Sequence, residues 1–173
     1  KSLFIARSLN CNPLALLRGV DMFPFKVFNI ALVLVYSVGS AIWVSTGDTW
    51  YRSLNQPSWQ PPDWVFGLIW PYNFVVLGIL GWIVASRLDY SSNRVWSTFL
   101  AIGVVSALLW SRIFYINHQI LLSTLFLLFV AISAVILFIY SLTKVGGISF
   151  IILPYVLWVS TATALSYSYS RLN

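Results

Sequence analysis

Tryptophan and proline are concentrated in one segment of the chain, from Trp50 to Trp82. Five of the nine tryptophans lie in it, and Trp43 stands just before it. The segment also contains Pro57, Pro61 and Pro62. Indole rings stack on flat π-systems, and proline stiffens a loop because it fixes the backbone φ. The chemistry that this composition favours is therefore the binding of a flat, apolar molecule.

The same aromatic residues have a second interpretation. Tryptophan and tyrosine collect at membrane–water interfaces simply because their rings are amphipathic. In that case the segment is an interfacial belt, whereas a stiffened aromatic loop over a ligand is a lid that loses little entropy when it closes. The residues alone leave both interpretations open.

Groups for acid–base or metal chemistry are scarce. The chain has one histidine, one cysteine and four acidic residues, so we find no triad, paired carboxylates, metal cluster or phosphate-binding glycine loop. His118 stands between Asn117 and Gln119 in a predicted turn. We favour a solvated turn residue there, and an axial ligand to a haem or chlorophyll metal is the alternative. These residues therefore predict no enzyme activity.

The amino-acid composition indicates whether water or lipid surrounds the protein. Apolar and aromatic residues make up 60% of the chain and charged residues 8%, against roughly 25% charged in soluble domains. A surface with so few charges is compatible with lipid. The net charge of +6 comes from scattered basic residues, so it does not indicate a nucleic-acid partner.

Five windows are long and apolar enough to cross a bilayer. They run from Phe25 to Ser45, Trp64 to Ser86, Val95 to Ile116, Ile120 to Leu142 and Ile148 to Tyr169. The sequence therefore predicts an all-α fold, a bundle of five transmembrane helices over residues 25–173. Residues 1–24 are expected to form an interfacial tail that is partly amphipathic.

The basic residues predict an orientation. One side of the five spans holds Lys1, Arg7, Arg18, Lys26, Arg87, Arg94 and Lys144. The other side holds Arg52, Arg112 and Arg171. Because Lys and Arg accumulate on the cytoplasmic side, the N-terminus is expected on the cytoplasmic, stromal or matrix side of a bacterial inner membrane or an organelle membrane such as that of a plastid or mitochondrion.

Small residues that recur on one helix face mark places where another helix can approach closely. Such pairs are Ser37 with Ala41, Gly78 with Gly81, and Ala162 with Ser166. We expect packing inside the bundle, with a homodimer interface as the alternative.

Three motifs resemble the TspO/MBR family of tryptophan-rich sensory and translocator proteins. The first is Trp50-Tyr51-x-x-Leu54-x-x-Pro57-x-Trp59-x-Pro61-Pro62-x-Trp64-x-Phe66-x-x-x-Trp70. The second is Trp110-Ser111-x-Ile113-Phe114-Tyr115. The third is Leu153-Pro154-Tyr155-Val156-Leu157-Trp158-Val159, followed by Ala162 and by Arg171-Leu172-Asn173. Together they cover most of the chain from Trp50 onward.

The resemblance implies a membrane protein that binds a porphyrin or other tetrapyrrole, or a sterol or lipid, for sensing, transport or disposal. It implies no required cofactor beyond such a bound tetrapyrrole or pigment, and membrane lipids as further partners. Light-dependent degradation of a bound porphyrin stays open as an enzyme activity. Motif matching places the ligand beneath the first loop. The residues expected to stack on it are Trp50, Trp59, Trp64, Trp70, Tyr155 and Trp158.

The chain also departs from the family pattern. Gly103 and Ala107 stand where the third helix of the family carries Gln and Asn, and Ser166 replaces an Asn of the fifth helix. Arg112 replaces a proline, and Phe74 a common tyrosine. These losses of polar groups favour a diverged member, so an alternative function is a structural or pigment-contacting subunit of a larger, perhaps photosynthetic, membrane complex.

Overall fold

The computed structural model describes residues 13–173, with side chains from Met22 onward. Throughout that part the regular structure is helical. The helices are α1 (Pro13–Trp43), α2 (Thr49–Ser53), α3 (Asp63–Arg87), α4 (Tyr90–Tyr115), α5 (Ile120–Val145) and α6 (Leu153–Leu172), with a 3₁₀ helix (Gly146–Ile152) between α5 and α6.

Four helical runs are long and apolar enough to cross a membrane, and the last of them, Ile120–Leu172, comprises 53 residues. This run folds back on itself. The hydroxyls of Thr124 and Ser166 lie 2.7 Å apart, and the Thr163 hydroxyl donates to the Leu127 carbonyl at 3.2 Å. Helices α5 and α6 are therefore antiparallel neighbours, and the predicted bundle of five transmembrane helices is confirmed.

The reversal between α5 and α6 uses a glycine. Gly146 has φ = 75°, a left-handed conformation that side chains with a Cβ avoid, and its N–H bonds back to the Leu142 carbonyl. The 3₁₀ helix then leads into α6, where Pro154 stands in the first turn and needs no amide donor. The fifth span accordingly begins a few residues later than the sequence predicts.

Helix α1 begins at Pro13 and continues without interruption to Trp43, with Pro24 inside it. The expected boundary between tail and bundle at residue 25 therefore falls within a continuous helix. The first twelve residues of the expected tail lie outside the described part of the chain, and the interfacial position of residues 1–24 stays a prediction.

The five long helices form an incomplete ring. Helix α1 packs against α3 and α4, α4 also packs against α5, and α5 against α6. Contacts between α3 and α6, which would close the ring, are few, and α3 instead meets the 3₁₀ helix. One part of the bundle interior, between α3 and α6, is consequently left less filled than the rest.

The well-packed half of the interior is held by buried polar contacts. The Asn29 amide donates to the Gly81 carbonyl at 3.1 Å and accepts from the Ser97 hydroxyl at 2.7 Å, which joins α1, α3 and α4. The Trp96 indole donates to the Ser141 hydroxyl at 2.9 Å and so ties α4 to α5. Such bonds stabilise helix association where hydrocarbon offers no alternative partner.

Replacement of Gly81 by valine should destabilise the bundle by about 1–3 kcal/mol, because an added Cβ would lie 3.1 Å from the Asn29 Cβ and 3.2 Å from the Trp96 ring. Thermal unfolding in detergent measures the effect. Gly67 on the same helix has no atom within 4 Å of the built Cβ, so Gly67→Val is the matched control. Equal losses of stability in the two variants would contradict the packing role of Gly81.

Candidate ligand-binding cavity

A cavity of about 420 Å³ lies between α1, α3, α4 and α6, next to the few contacts of α3 with α6. This volume falls within the usual range for small-molecule sites. Its lining consists of Tyr36, Ser37, Ser40, Ala41, Val44, Thr46, Tyr51, Asp63, Phe66, Gly67, Trp70, Phe74, Trp110, Phe114, Tyr115, Ala162, Leu165, Ser166 and Tyr169.

Aromatic side chains of α3 and α1 form one wall. Phe66, Trp70 and Phe74 are spaced by four residues, so they share one face of α3. The Trp70 and Phe74 rings are 6.0 Å apart and 25° from parallel. Tyr36 of α1 meets Phe74 edge-on at 5.0 Å. This wall offers both ring faces and ring edges to a planar ligand.

The last turns of α4 form the opposite wall. The Trp110 and Phe114 rings are 6.1 Å apart, and Phe114 meets Tyr115 edge-on at 4.9 Å. Tyr51 of α2 lies above this cluster, 5.7 Å from Tyr115 and 6.2 Å from Tyr169. The cavity is thus enclosed by rings from elements far apart in sequence.

The first loop, residues 46–62, covers the cavity, and we refer to it as the lid. At one end of α2, the Asp48 carboxylate accepts from the Trp50 amide at 3.2 Å. The Trp50 ring then stacks on His118 at 3.9 Å and 11°, and meets Phe114 edge-on at 5.5 Å. These contacts attach the lid to the turn between α4 and α5.

A second attachment joins the lid to the end of α6. The Asn55 amide donates to the Asn173 side-chain oxygen at 2.8 Å, and the Asn173 amide donates back to the Asn55 carbonyl at 3.2 Å. The Tyr169 hydroxyl also donates to the Gln60 side-chain oxygen. The lid is therefore held on both sides of the cavity in this structure.

His118 is exposed in the turn, as expected, and it has a positive φ of 58°. One face of its ring is covered by Trp50, and it is absent from the cavity lining. Over the described residues, no three His, Cys, Asp or Glu side chains come together as a metal site.

Three buried polar groups at or beside the cavity have no hydrogen-bond partner: the Tyr36 hydroxyl and the indole N–H groups of Trp110 and Trp158. Tyr36 is 2% exposed, and the nearby Tyr155 phenol does not meet hydrogen-bond geometry with it. An unpaired buried donor costs free energy. A ligand with acceptor atoms would satisfy these groups.

The structure places some of the predicted stacking residues at the cavity and others away from it. Trp70 lines the cavity, and Trp158 meets Trp70 and Phe66 edge-on at 6.4 and 5.1 Å. Tyr155 is buried in the core beside the same wall. The other three, Trp50, Trp59 and Trp64, do not line the cavity: the first stacks on His118, and the last two are 47% and 68% exposed.

Most of the remaining lining residues were not among the predicted site residues. Trp110, Phe114 and Tyr115 belong to a motif that the sequence analysis did identify, and their spacing of four or five residues indicates a shared helix face. Tyr51 belongs to the first motif but was not predicted as a site residue. Tyr36 and Tyr169 carry no such signal, because their proximity depends on how α1 and α6 come together.

The three small-residue pairs have different roles. Gly81 lies against Asn29 and Trp96, and Gly78 lies 3.5 Å from Ile30 when a Cβ is built on it, as expected for internal packing. The pairs Ser37–Ala41 and Ala162–Ser166 instead line the cavity. Small side chains there leave space for a ligand.

The cavity also opens sideways near the lid ends of α1 and α3, where its lining residues Ala41, Val44 and Gly67 are exposed. Nothing lies within 4 Å of the Cβ built on Gly67.

A model of the TspO/MBR family matches residues 29–172, which contain all five long helices except the start of α1. The chain belongs to the TspO/MBR family. It is 31% identical over 157 residues to protein CrtK of Rhodobacter capsulatus, covering 84% of this chain and 94% of that protein.

Other TspO/MBR relatives match over similar lengths. The tryptophan-rich protein TspO of Bacillus cereus is 29% identical over 156 residues, covering 88% of this chain and 100% of that protein. The human translocator protein is 27% identical over 157 residues, covering 87% of this chain and 90% of that protein.

The structure shows where the residues that depart from the TspO/MBR pattern lie. Phe74 and Ser166 line the cavity, and the Ser166 hydroxyl is bonded to that of Thr124. Gly103 packs toward Ser133 of α5, and Ala107 is buried in the core. The cavity lining is therefore more apolar than the family pattern implies, and Tyr36 contributes a buried hydroxyl from the opposite helix.

Replacement of Tyr36 by phenylalanine should raise the stability of the ligand-free protein by about 1–3 kcal/mol, because the variant no longer buries an unpaired hydroxyl. The midpoint of thermal unfolding in detergent measures this. Ser111, whose buried hydroxyl is bonded to the Ala107 carbonyl at 3.1 Å, provides the contrast: Ser111→Ala should lower the midpoint or leave it unchanged. A lower midpoint for Tyr36→Phe would contradict the interpretation.

Replacement of Asn173 by alanine should weaken the attachment of the lid to α6, because two bonds to the Asn55 backbone are lost while the Tyr169–Gln60 bond remains. Amide hydrogen exchange over residues 46–62 should then increase about tenfold or more while exchange in α5 stays unchanged. Ser170→Ala, which removes only a bond within α6 to the Tyr167 carbonyl, serves as control. Unaltered exchange of the lid in Asn173→Ala would show that these bonds do not hold it.

Proposed function

We propose that this TspO/MBR protein binds a flat, largely apolar small molecule of the tetrapyrrole class in the cavity beneath the lid. The observation that carries the proposal is a cavity of about 420 Å³ lined by nine aromatic side chains, among them the unpaired Tyr36 hydroxyl and Trp110 indole N–H. The nine are Tyr36, Tyr51, Phe66, Trp70, Phe74, Trp110, Phe114, Tyr115 and Tyr169.

Stacking is the interaction expected to dominate. Offset and edge-to-face contacts with aromatic rings each add about 0.5–1.5 kcal/mol beyond the burial of apolar area. Trp70 is the tryptophan best placed to stack on a ligand, and Trp158 supports it from behind with a free indole N–H. Roles for Trp50, Trp59, Trp64 and Tyr155 stay predictions. Direct contact of Trp50 and Trp59 with a ligand would require the lid to move inward, and Trp64 is exposed on α3.

The lining favours binding over chemical conversion. Asp63 is the one carboxylic acid in the cavity lining of the described chain, and neither a histidine nor a second carboxylate accompanies it there. General acid–base catalysis needs such groups within reach of a substrate. The relatives are named as tryptophan-rich, sensory or translocator proteins, and we propose that this chain likewise binds its ligand for sensing, transport or disposal.

The membrane and its orientation belong to the same proposal. The lid side carries Arg52, Arg112 and Arg171, fewer basic residues than the opposite side. By the positive-inside rule the lid faces away from the cytoplasm, matrix or stroma. The ligand would then meet the lid from the non-cytoplasmic compartment or from that leaflet of the bilayer.

Titration of the purified protein with a porphyrin, followed by tryptophan quenching and the shift of the Soret band, tests the proposal. Saturable binding at one ligand per chain is expected, and Trp70→Leu should weaken it about tenfold or more through loss of the stacking face. Trp82 on the same helix is 49% exposed, away from the cavity, with Lys26 5.0 Å from its ring.

Trp82→Leu is therefore the matched control, and it should leave the affinity within about twofold. Equal effects of the two substitutions would mean that the porphyrin binds the outer aromatic surface. Absence of binding by folded, helical protein would instead favour the alternative of a subunit in a larger membrane complex, and co-purification in stoichiometric amounts with that complex would support it.

A further inference from the structure

The cavity has a distinctive charge pattern. Asp63 carries a carboxylate at the first residue of α3, where the cavity meets the lid. Among the described residues that line the cavity there is no lysine, arginine or histidine. A ligand inside therefore encounters one negative group and no positive side chain.

The two ends of the cavity differ in polarity. From Asp63 to Phe74 the cavity follows α3 for eleven residues, about 16 Å at 1.5 Å per residue. Hydroxyls of Ser40 and Thr46 lie toward the lid end of α1, and Tyr36 lies further down the same helix. The deep end is thus apolar and aromatic, and the Tyr36 hydroxyl is the neutral polar group without a partner there.

A carboxylate on the ligand is disfavoured in either orientation. At the lid end it would approach the exposed Asp63 carboxylate, and like charges repel there, although water screens the repulsion. At the deep end it would be removed from water without a cationic partner, which costs far more than burial of a neutral polar group. A neutral acceptor such as an ester or ketone oxygen would accept from the Tyr36 hydroxyl at no such cost.

We propose that the cavity selects planar ligands that lack free carboxylates and carry neutral hydrogen-bond acceptors, so that a porphyrin ester is preferred to the porphyrin dicarboxylic acid. The inference rests on the proposed function, because it concerns the same cavity. It assigns Asp63 as the residue that discriminates against anions and Tyr36 as the donor to the ligand.

The experiment compares protoporphyrin IX with its dimethyl ester, which share one ring system and differ in charge. Binding is measured by tryptophan quenching in phosphatidylcholine nanodiscs. The ester is expected to bind about tenfold more tightly or better, and Tyr36→Phe should weaken ester binding about threefold or more. Asp63→Asn should tighten binding of the acid about threefold or more and leave the ester within twofold.

Asp48→Asn is the matched control, because it removes a negative charge on the same side from a residue outside the cavity lining, and asparagine caps a helix as well as aspartate does. It should leave both affinities within twofold. The comparison of Asp63→Asn with Asp48→Asn uses one probe at a time, so unequal partitioning of acid and ester into the nanodisc does not affect it.

The experiment distinguishes failure of the charge selection from failure of the proposed function. If acid and ester bind equally well, or Asp63→Asn leaves the acid unchanged, while Trp70→Leu weakens both, the ligand occupies the cavity and the charge selection is overturned. If neither probe binds, or Trp70→Leu changes neither affinity, the proposed function itself fails and the inference fails with it.

Discussion

Hydrocarbon cannot accept or donate a hydrogen bond, so every polar group between the two faces of the bilayer must find its partner within the protein. In one half of this bundle, polar side chains bond across helices: Asn29 is bonded to α3 and α4, and Trp96 is bonded to Ser141. In the other half, the Tyr36 hydroxyl and the Trp110 indole N–H, both on residues that line the cavity, have no partner. We interpret the first half as structural support and the second as the ligand site.

The unsatisfied half exists because α3 is held from one side only. Its inner face packs on α1 through Gly78 and Gly81, but it makes few contacts with α6. The lid compensates for the missing helix contact: Tyr51 reaches the rings of α4 and α6, and Asn55 bonds to the last residue described. The enclosure of the cavity therefore depends on a short segment outside the five long helices.

Hydropathy was enough to predict the five spans, because each must contain about 20 apolar residues whatever its neighbours are. Hydropathy could not locate the start of α1 at Pro13 or the 3₁₀ helix that begins at Gly146. In both places the helical structure extends beyond the apolar window that predicts the span. Within the site, helix geometry explains which tryptophans were placed correctly. Trp70 lies four residues from Phe66 and shares its face, whereas Trp64 lies six residues before Trp70, about 120° around the helix, and is exposed. The contributions of Tyr36 and Tyr169 required the packing of distant helices, which no local pattern specifies.

The sideways opening at Ala41, Val44 and Gly67 has a consequence for how affinity is to be understood. A flat apolar molecule partitions into the bilayer before it meets the protein, so its concentration around the opening is set by the amount of lipid and by its own oil–water distribution. Encounter then takes place by lateral diffusion in two dimensions. Under these conditions the occupancy of the cavity follows the mole fraction of ligand in the membrane, and two membranes with the same aqueous ligand concentration can load the protein to different extents.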